Sequence, residues 1–215
     1  MKLRSIRSEF ETMNSAATTV RSAREQIADQ LRNEILADLF SDDEPMREAA
    51  LAERFGVSRG PIRDVLLQLS QEGALVYKPN SGVRVNTPAA NDERDFLMSL
   101  RLKIELEALR GFVRSCGEED GEELRAILLR MKGACRDKDV PAIVGSDLAL
   151  HRHLIRRGAS EKVEAVWQSI TVRIRMDYSR LTRHMDIFRE HEQLVDAILS
   201  GDLKQARAAL KANLI

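Results

Sequence analysis

The stretch Leu51–Leu69, LAERFGVSRGPIRDVLLQL, decides the fold of the first third of this 215-residue chain. Leu51 and Phe55 are four residues apart, which places both side chains on one face of a short helix. Gly56 is suited to end that helix, because glycine enters the left-handed conformation at little cost. Ser58 then stands at the N-cap of a second helix. The pattern predicts a helix–turn–helix.

The second helix of this motif carries two different faces. Its apolar stripe is expected to face a core, whereas Arg59 and Arg63 lie together on another face beside Gly60. Two short helices with arginines near the start of the second are what a protein needs to enter the major groove of DNA. An ordinary helical hairpin with solvated arginines is the alternative. The stripe consists of Ile62, Val65, Leu66 and Leu69.

A β-hairpin is predicted directly after the motif. Two short β-prone segments at 75–77 and 83–85 flank a turn rich in Pro, Asn, Ser and Gly. Lys78 and Arg84 lie beside the tip, and Gly82 would let the backbone approach a phosphate closely. A hairpin can be purely structural, but in this position it resembles the wing of a winged helix and adds a second contact point on a duplex.

The charge balance limits how this module could bind DNA. The chain holds 34 basic and 34 acidic residues, and residues 57–86 hold four basic against two acidic ones. Since affinity rises with the number of phosphates neutralised, one module should bind weakly and a homodimer would double the contacts. The residues expected to contact DNA are Ser58, Arg59, Gly60, Arg63, Lys78, Gly82 and Arg84.

The remaining sequence predicts a mainly α protein with two folded parts. We expect a poorly ordered leader at 1–22, a winged helix–turn–helix at 23–86, a linker at 87–91 and an all-helical domain at 92–215. Apolar periodicity divides the last part into a six-helix antiparallel bundle with room for a small ligand. The six segments are 92–115, 118–136, 140–157, 161–181, 187–199 and 203–214.

The sequence argues against a membrane protein and against a secreted one. No stretch reaches 18 apolar residues and the N-terminus lacks a secretory core, so no membrane partner and a cytoplasmic location are expected. Cys116 and Cys135 have no CxxC spacing and are interpreted as buried thiols of a reducing compartment, although a disulfide is the alternative.

Both folded parts resemble the GntR-type bacterial transcription regulators. The segment AALAERFGVSRGPIRDVLLQLSQEGALV, followed by PNSGVRV, is similar to their winged-helix domain. The C-terminal part resembles the helical (FCD-type) effector domain of the FadR/VanR branch, and six helices suggest the shorter, VanR-like version. The matching pieces are RLKIE at Arg101–Glu105, SDLALHRHLIRRGAS at Ser146–Ser160, EHEQLVDAILSGD at Glu190–Asp202 and the closing ALKANL.

The resemblance implies a homodimeric regulator, in most cases a repressor, whose affinity for a pseudo-palindromic operator is changed by a small organic acid. It also implies a divalent metal, zinc or similar, held by one Asp and three His. Three of these ligands map to Asp147, His151 and His191. The fourth falls on Asn213, which is a weaker neutral ligand than imidazole. Arg101 and Asn213 are the expected effector-binding residues.

Other interpretations stay open at this level. Asp147 and His151 could be a hydrogen-bonded helical pair, and Arg101 an exposed arginine paired with Glu105. A metal-dependent enzyme in the bundle is a second hypothesis, but the sequence lacks a Ser/His/Asp arrangement, a phosphate-binding glycine loop and a placed general base. A dimerisation bundle without a ligand is the third.

Overall fold

The N-terminal domain is a winged helix. The structure, a computed structural model, describes residues 22–174 and 183–214, so the predicted leader lies outside it except for Ser22. The strands pair antiparallel, with Leu75 opposite Val85. The elements are α1 (Ala23–Leu36), α2 (Glu48–Phe55), α3 (Arg59–Glu72), β1 (Leu75–Lys78) and β2 (Gly82–Val85).

Backbone and side-chain groups near the helix ends define them, although Ser58, at the predicted N-cap of α3, makes no capping hydrogen bond with its side chain. Gly56 ends α2 in the left-handed conformation, at φ +64°. Ser22 begins α1 through a reciprocal capping box with Glu25. The apolar stripe of α3 is fully buried, and Ile62 and Val65 expose none of their surface. These contacts fix α3 against α1 and turn its other face outward.

The C-terminal domain contains the six predicted helices. Its fourth predicted segment runs to residue 181, of which 175–181 lie outside the described residues. The predicted linker is one residue shorter than expected, because α4 begins at Asn91. The helices are α4 (Asn91–Ser115), α5 (Glu118–Asp137), α6 (Val140–Gly158), α7 (Glu161–Ile174), α8 (His184–Leu199) and α9 (Leu203–Leu214).

The buried face of α4 differs from the apolar line that its sequence indicates. The spacing of Leu97, Leu100, Ile104 and Ala108 predicts that these four residues line the buried face. Only Ala108 is buried and the other three are half-buried, whereas Arg101 and Glu105 are buried almost completely. Apolar periodicity misplaced this face because the helix buries an ion pair in its middle. The interior of the bundle is therefore polar at this level.

Two glycines bring α4 and α6 into backbone contact. A Cβ atom on Gly158 would overlap the carbonyl oxygen of Ala108, and one on Gly111 would overlap the carbonyl oxygen of Gly158. Only glycine at both positions permits this approach. Glu105 and His151 lie about two turns from the crossing on their own helices, so the close crossing sets the distance between them.

Among the described residues, no helix is both long enough and apolar enough to cross a membrane.

Candidate functional site

The predicted DNA-contacting residues of α3 lie on its exposed face. Ser58, Arg59, Gly60 and Arg63 are all exposed. The Ser58 side chain makes no capping hydrogen bond, so its hydroxyl is not used to hold the helix. A Cβ atom on Gly60 would meet nothing within 4 Å. The start of α3 is thus an open surface with two arginines, as a groove-binding helix requires.

Arg63 is held by a carboxylate from the preceding helix. Its Nε and Nη2 atoms donate to the two oxygens of Glu48, each at 3.1 Å. The same hydrogen bond is the main reason that the pKa of the Glu48 carboxyl lies below its usual value, and the charge of Arg59 adds to it. The pair holds the plane of the guanidinium in one orientation.

Asp43 engages both basic residues of the wing. Lys78 Nζ lies 2.7 Å from its carboxylate, and Arg84 Nε donates to the carboxylate at 3.0 Å and to the Asp43 carbonyl oxygen at 2.9 Å. Gly82 is exposed at φ +74°, with open space around it. Arg84 is anchored to the loop before α2, and Lys78 is the more exposed of the two cations.

The three predicted metal ligands come together inside the bundle. Asp147 and His151 are one turn apart on α6, and His191 faces them from α8. One ligand atom from each residue lies within 4.8 Å of the others, and all three side chains are buried. His191 Nε2 is 2.8 Å and His151 Nε2 is 3.7 Å from Oδ1 of Asp147.

Both imidazoles are oriented by hydrogen bonds at the nitrogen that does not face the cluster. His151 Nδ1 lies 2.6 Å from Oε2 of Glu105, and His191 Nδ1 donates to the carbonyl oxygen of Ile187 at 2.7 Å. Carboxylate or carbonyl partners at this position are typical of metal-binding histidines. The two Nε2 atoms and the Asp147 carboxylate therefore fit a divalent cation such as zinc.

Asn213 occupies the position that the resemblance assigns to a fourth ligand. Its Oδ1 is 3.0 Å from His151 Nε2, and its Nδ2 is 3.4 Å from His191 Nε2. The amide from α9 thus closes the cluster. As a metal ligand, its amide oxygen is neutral and suits a hard cation better than zinc.

Glu105 is the residue of this site that sequence reasoning underestimated. Besides His151, its carboxylate accepts from Arg101 Nε at 2.7 Å and from Trp167 Nε1 at 2.7 Å. The spacing of Arg101 and Glu105 allows two interpretations, an effector-binding Arg101 or an exposed Arg101–Glu105 pair on the helix surface. That alternative is wrong, because both side chains are buried. The single tryptophan of the chain was a usable signal, since a buried indole N–H needs an acceptor.

The charges of this network reinforce one another. Burial alone would raise the pKa of Glu105, but the charges of His151 and Arg101 outweigh it and lower that pKa to about 2. Burial would lower the pKa of His151, yet the Glu105 carboxylate raises it. Against the effect of burial, the hydrogen bond from His191 and the charge of His151 keep the pKa of Asp147 well below its usual range. The cluster is a pre-formed site of paired charges.

Two family models match this chain. Residues 23–85 match "Bacterial regulatory proteins, gntR family", and residues 96–214 match the FCD domain. Together they span both folded parts and agree in order with the winged helix and the bundle.

Curated relatives and solved structures agree with these matches. An uncharacterized HTH-type regulator of Streptomyces ambofaciens is 29% identical over 93% of this chain and 85% of its own length. The gluconate operon transcriptional repressor of Bacillus subtilis is 24% identical over 88% and 79%. The structure of McbR/YncC from E. coli has a TM-score of 0.75 at 20% identity, covering 90% of this chain and 94% of that one. The chain therefore belongs to the GntR family of bacterial regulatory proteins, which are transcription regulators and not enzymes, and it carries an FCD domain.

Proposed function

We propose that this protein is a homodimeric repressor that binds a pseudo-palindromic operator and changes its operator affinity when a small organic acid binds the FCD domain. A divalent cation at Asp147, His151 and His191 would be part of that acid's binding site. Such a regulator acts on chromosomal DNA, in the bacterial cytoplasm.

The exposed start of α3 supports the DNA-binding half of the proposal. Arg59 and Arg63 point away from the core on one face, and the wing offers Lys78, Gly82 and Arg84 as a second contact. Each module presents few cations, so an affinity useful in a cell requires two modules on one duplex. A twofold dimer would impose its symmetry on the operator.

The convergence of buried ionisable groups carries the effector half of the proposal. Ionisable side chains from α4, α6 and α8 meet in the interior, where they are costly unless they are paired or ligated. A divalent cation there would supply coordination positions for a carboxylate. Arg101 would add a positive charge, and Asn213 would add an amide donor and acceptor at the wall.

Named relatives support the assignment as a repressor and indicate one acid to test. Two gluconate operon repressors and a repressor named NanR are among the similar proteins. Gluconate is a small organic acid, so it belongs in the first set of compounds tested here.

The DNA-binding half is tested by selecting operators from a random duplex library with the purified protein. We expect an enriched pseudo-palindrome, a dimer by light scattering at micromolar concentration, and loss of binding in Arg59→Ala. Arg207→Ala, an exposed arginine on α9, is the matched control and should bind normally. A monomer with or without DNA, or no enriched sequence, would overturn this half.

The effector half is tested by thermal-shift screening of organic acids, with and without Zn²⁺, followed by operator titrations. We expect Asp147→Ala and His191→Ala to abolish the effect of a responsive acid, while operator affinity without the acid changes little. His184→Ala on the same helix as His191 is the control. If both site variants respond as the parent does, the acid binds elsewhere; if no acid or metal shifts the melting temperature, the bundle serves dimerisation alone.

A further inference from the structure

The outer face of α7 contacts the end of the recognition helix α3. Arg173 Nη1 donates to the carbonyl oxygen of Glu72 at 3.0 Å, one residue before α3 is capped by Gly73. A Cβ atom on Gly73 would lie 2.6 Å from the guanidinium carbon of Arg173. The arginine therefore packs flat on the helix end, and it can do so because residue 73 has no side chain.

The same junction is fixed from two further sides. The Arg173 carbonyl oxygen accepts from the N–H of Ala89, in the segment that leads out of the wing, at 3.1 Å. The Glu72 carboxylate accepts from Arg32 of α1 at 2.7 and 2.8 Å and from Gln68 at 3.0 Å. Burial alone would raise the pKa of Glu72, but the hydrogen bonds and the charge of Arg32 outweigh it and keep that pKa below its usual value. The C-terminal end of α3 is thus held by both domains.

The inner face of α7 contacts the candidate metal site through one residue. Trp167 is fully buried, and its Nε1 donates to Oε1 of Glu105 at 2.7 Å. The other oxygen of that carboxylate lies 2.6 Å from Nδ1 of His151. A displacement of His151 acts on Glu105 directly, and Glu105 acts on Trp167.

We propose that α7 couples the candidate site to the recognition helix, and that Arg173 is a positioning residue for DNA binding. Trp167 and Arg173 are six residues apart, about 9 Å along one helix and on different faces of it. A short helix moves as a unit, so a displacement at Trp167 is carried to Arg173 and from there to the end of α3. The inference deepens the proposed function and rests on it for its biological meaning.

The test is a double-mutant cycle of Trp167→Phe and Arg173→Ala, which needs no effector. Trp167→Phe removes the hydrogen bond to Glu105 but keeps an aromatic ring. The first readout is amide hydrogen exchange at Gly73 and Ala74, whose N–H groups both donate to the carbonyl oxygen of Leu69. The second readout is affinity for a selected operator duplex.

We expect Trp167→Phe to change both readouts by about two- to thirtyfold in the parent, the range of measured coupling energies. In the Arg173→Ala background the same substitution should have less than about a twofold effect. Arg173→Ala by itself should accelerate exchange and weaken operator binding, and Arg173→Lys should restore part of both. Lys162→Ala, at an exposed position on the same helix, is the control and should leave the cycle unchanged.

Additive effects of the two substitutions on hydrogen exchange would overturn the coupling, as would unchanged exchange in Trp167→Phe. If Trp167→Phe does not fold by circular dichroism, Glu105→Ala removes the acceptor of the Trp167 indole N–H and replaces it in the cycle. The exchange measurement uses neither DNA nor effector. A failure of the coupling is therefore distinguishable from a failure of the proposed function. If the proposed function fails, no acid or metal will change the operator affinity of the parent protein.

Discussion

Oδ1 of Asn213 lies 3.0 Å from Nε2 of His151, on the side of the imidazole that faces Asp147. Asn213 thus stands where a third imidazole would complete a set of one carboxylate and three histidines. The opposite nitrogen of His151 is held by Glu105, so the ring cannot turn away without losing that bond. In the proposed metal site, Asn213 would be a weaker fourth ligand than a histidine, while Asp147, His151 and His191 would keep the geometry described above.

Asn213→His should therefore tighten zinc binding, because imidazole is the better ligand for this metal. We expect a gain of about tenfold or more, the scale of single changes around protein-bound metals. Isothermal titration with Zn²⁺ against the parent measures it, and Asn213→Ala is the matched control, which should bind no tighter. Equal affinities in all three proteins would show that Asn213 does not face the metal.

Zinc binding should weaken as the pH falls, with His151 as the titrating group. Glu105 raises the pKa of His151 above its usual value, so in metal-free protein the proton persists to a higher pH than on an ordinary histidine. Zinc must displace that proton, so affinity should be lost by about tenfold per pH unit below the raised pKa. In Glu105→Gln the carboxylate charge is gone, and the loss should begin at a lower pH.

The raised pKa of His151 also predicts that the metal-free protein becomes less stable as the pH rises, which is opposite to the trend in zinc affinity. A histidine whose pKa is raised by folding stabilises the folded state fully below its unfolded pKa, and this contribution disappears as the pH rises through the folded value. Urea melts of metal-free protein at about pH 6 and pH 8 measure it. The pH dependence should be smaller in Glu105→Gln, and an equal slope in both proteins would contradict the assignment to His151.

Arg63→Ala should weaken operator binding by at least about tenfold, because the proposed bidentate arginine–guanine contact would be removed. Glu48→Gln should act differently. It frees Arg63 and removes a negative charge beside the phosphates, so binding to unrelated duplex DNA should tighten more than binding to the operator. Fluorescence anisotropy with operator and scrambled duplexes measures both variants. If Glu48→Gln changed the two affinities equally, the Glu48–Arg63 pair would have no part in specificity.

Gly158→Ala should destabilise the bundle by about 1–3 kcal/mol or more, since the added methyl group overlaps the carbonyl oxygen of Ala108. It should also weaken metal binding, because α4 and α6 must separate and Glu105 moves away from His151. Chemical denaturation and zinc titration test the two effects. Gly133→Ala is the control, as its Cβ would meet nothing within 4 Å and alanine favours a helix.

The winged helix was predictable because its signals are local. Gly56 and Ser58 mark the turn by backbone chemistry, and the apolar stripe of α3 follows the period of one helix. The paired ligands Asp147 and His151 were also accessible, since a spacing of four places them on one helical face. Such features depend on residues close in sequence, and the resemblance to known regulators added His191 and Asn213.

The contacts between distant residues were decided only by the tertiary structure. Periodicity treated Gly158 as the end of a helix, whereas its main role is to let α6 touch α4. It also gave no sign that Glu105 would join Arg101, Trp167 and His151, or that Arg173 would lie on Gly73, 100 residues earlier. A sequence pattern states which face of a helix is apolar, but the partner of a buried charge is set by how the helices cross, and that depends on packing along the whole chain.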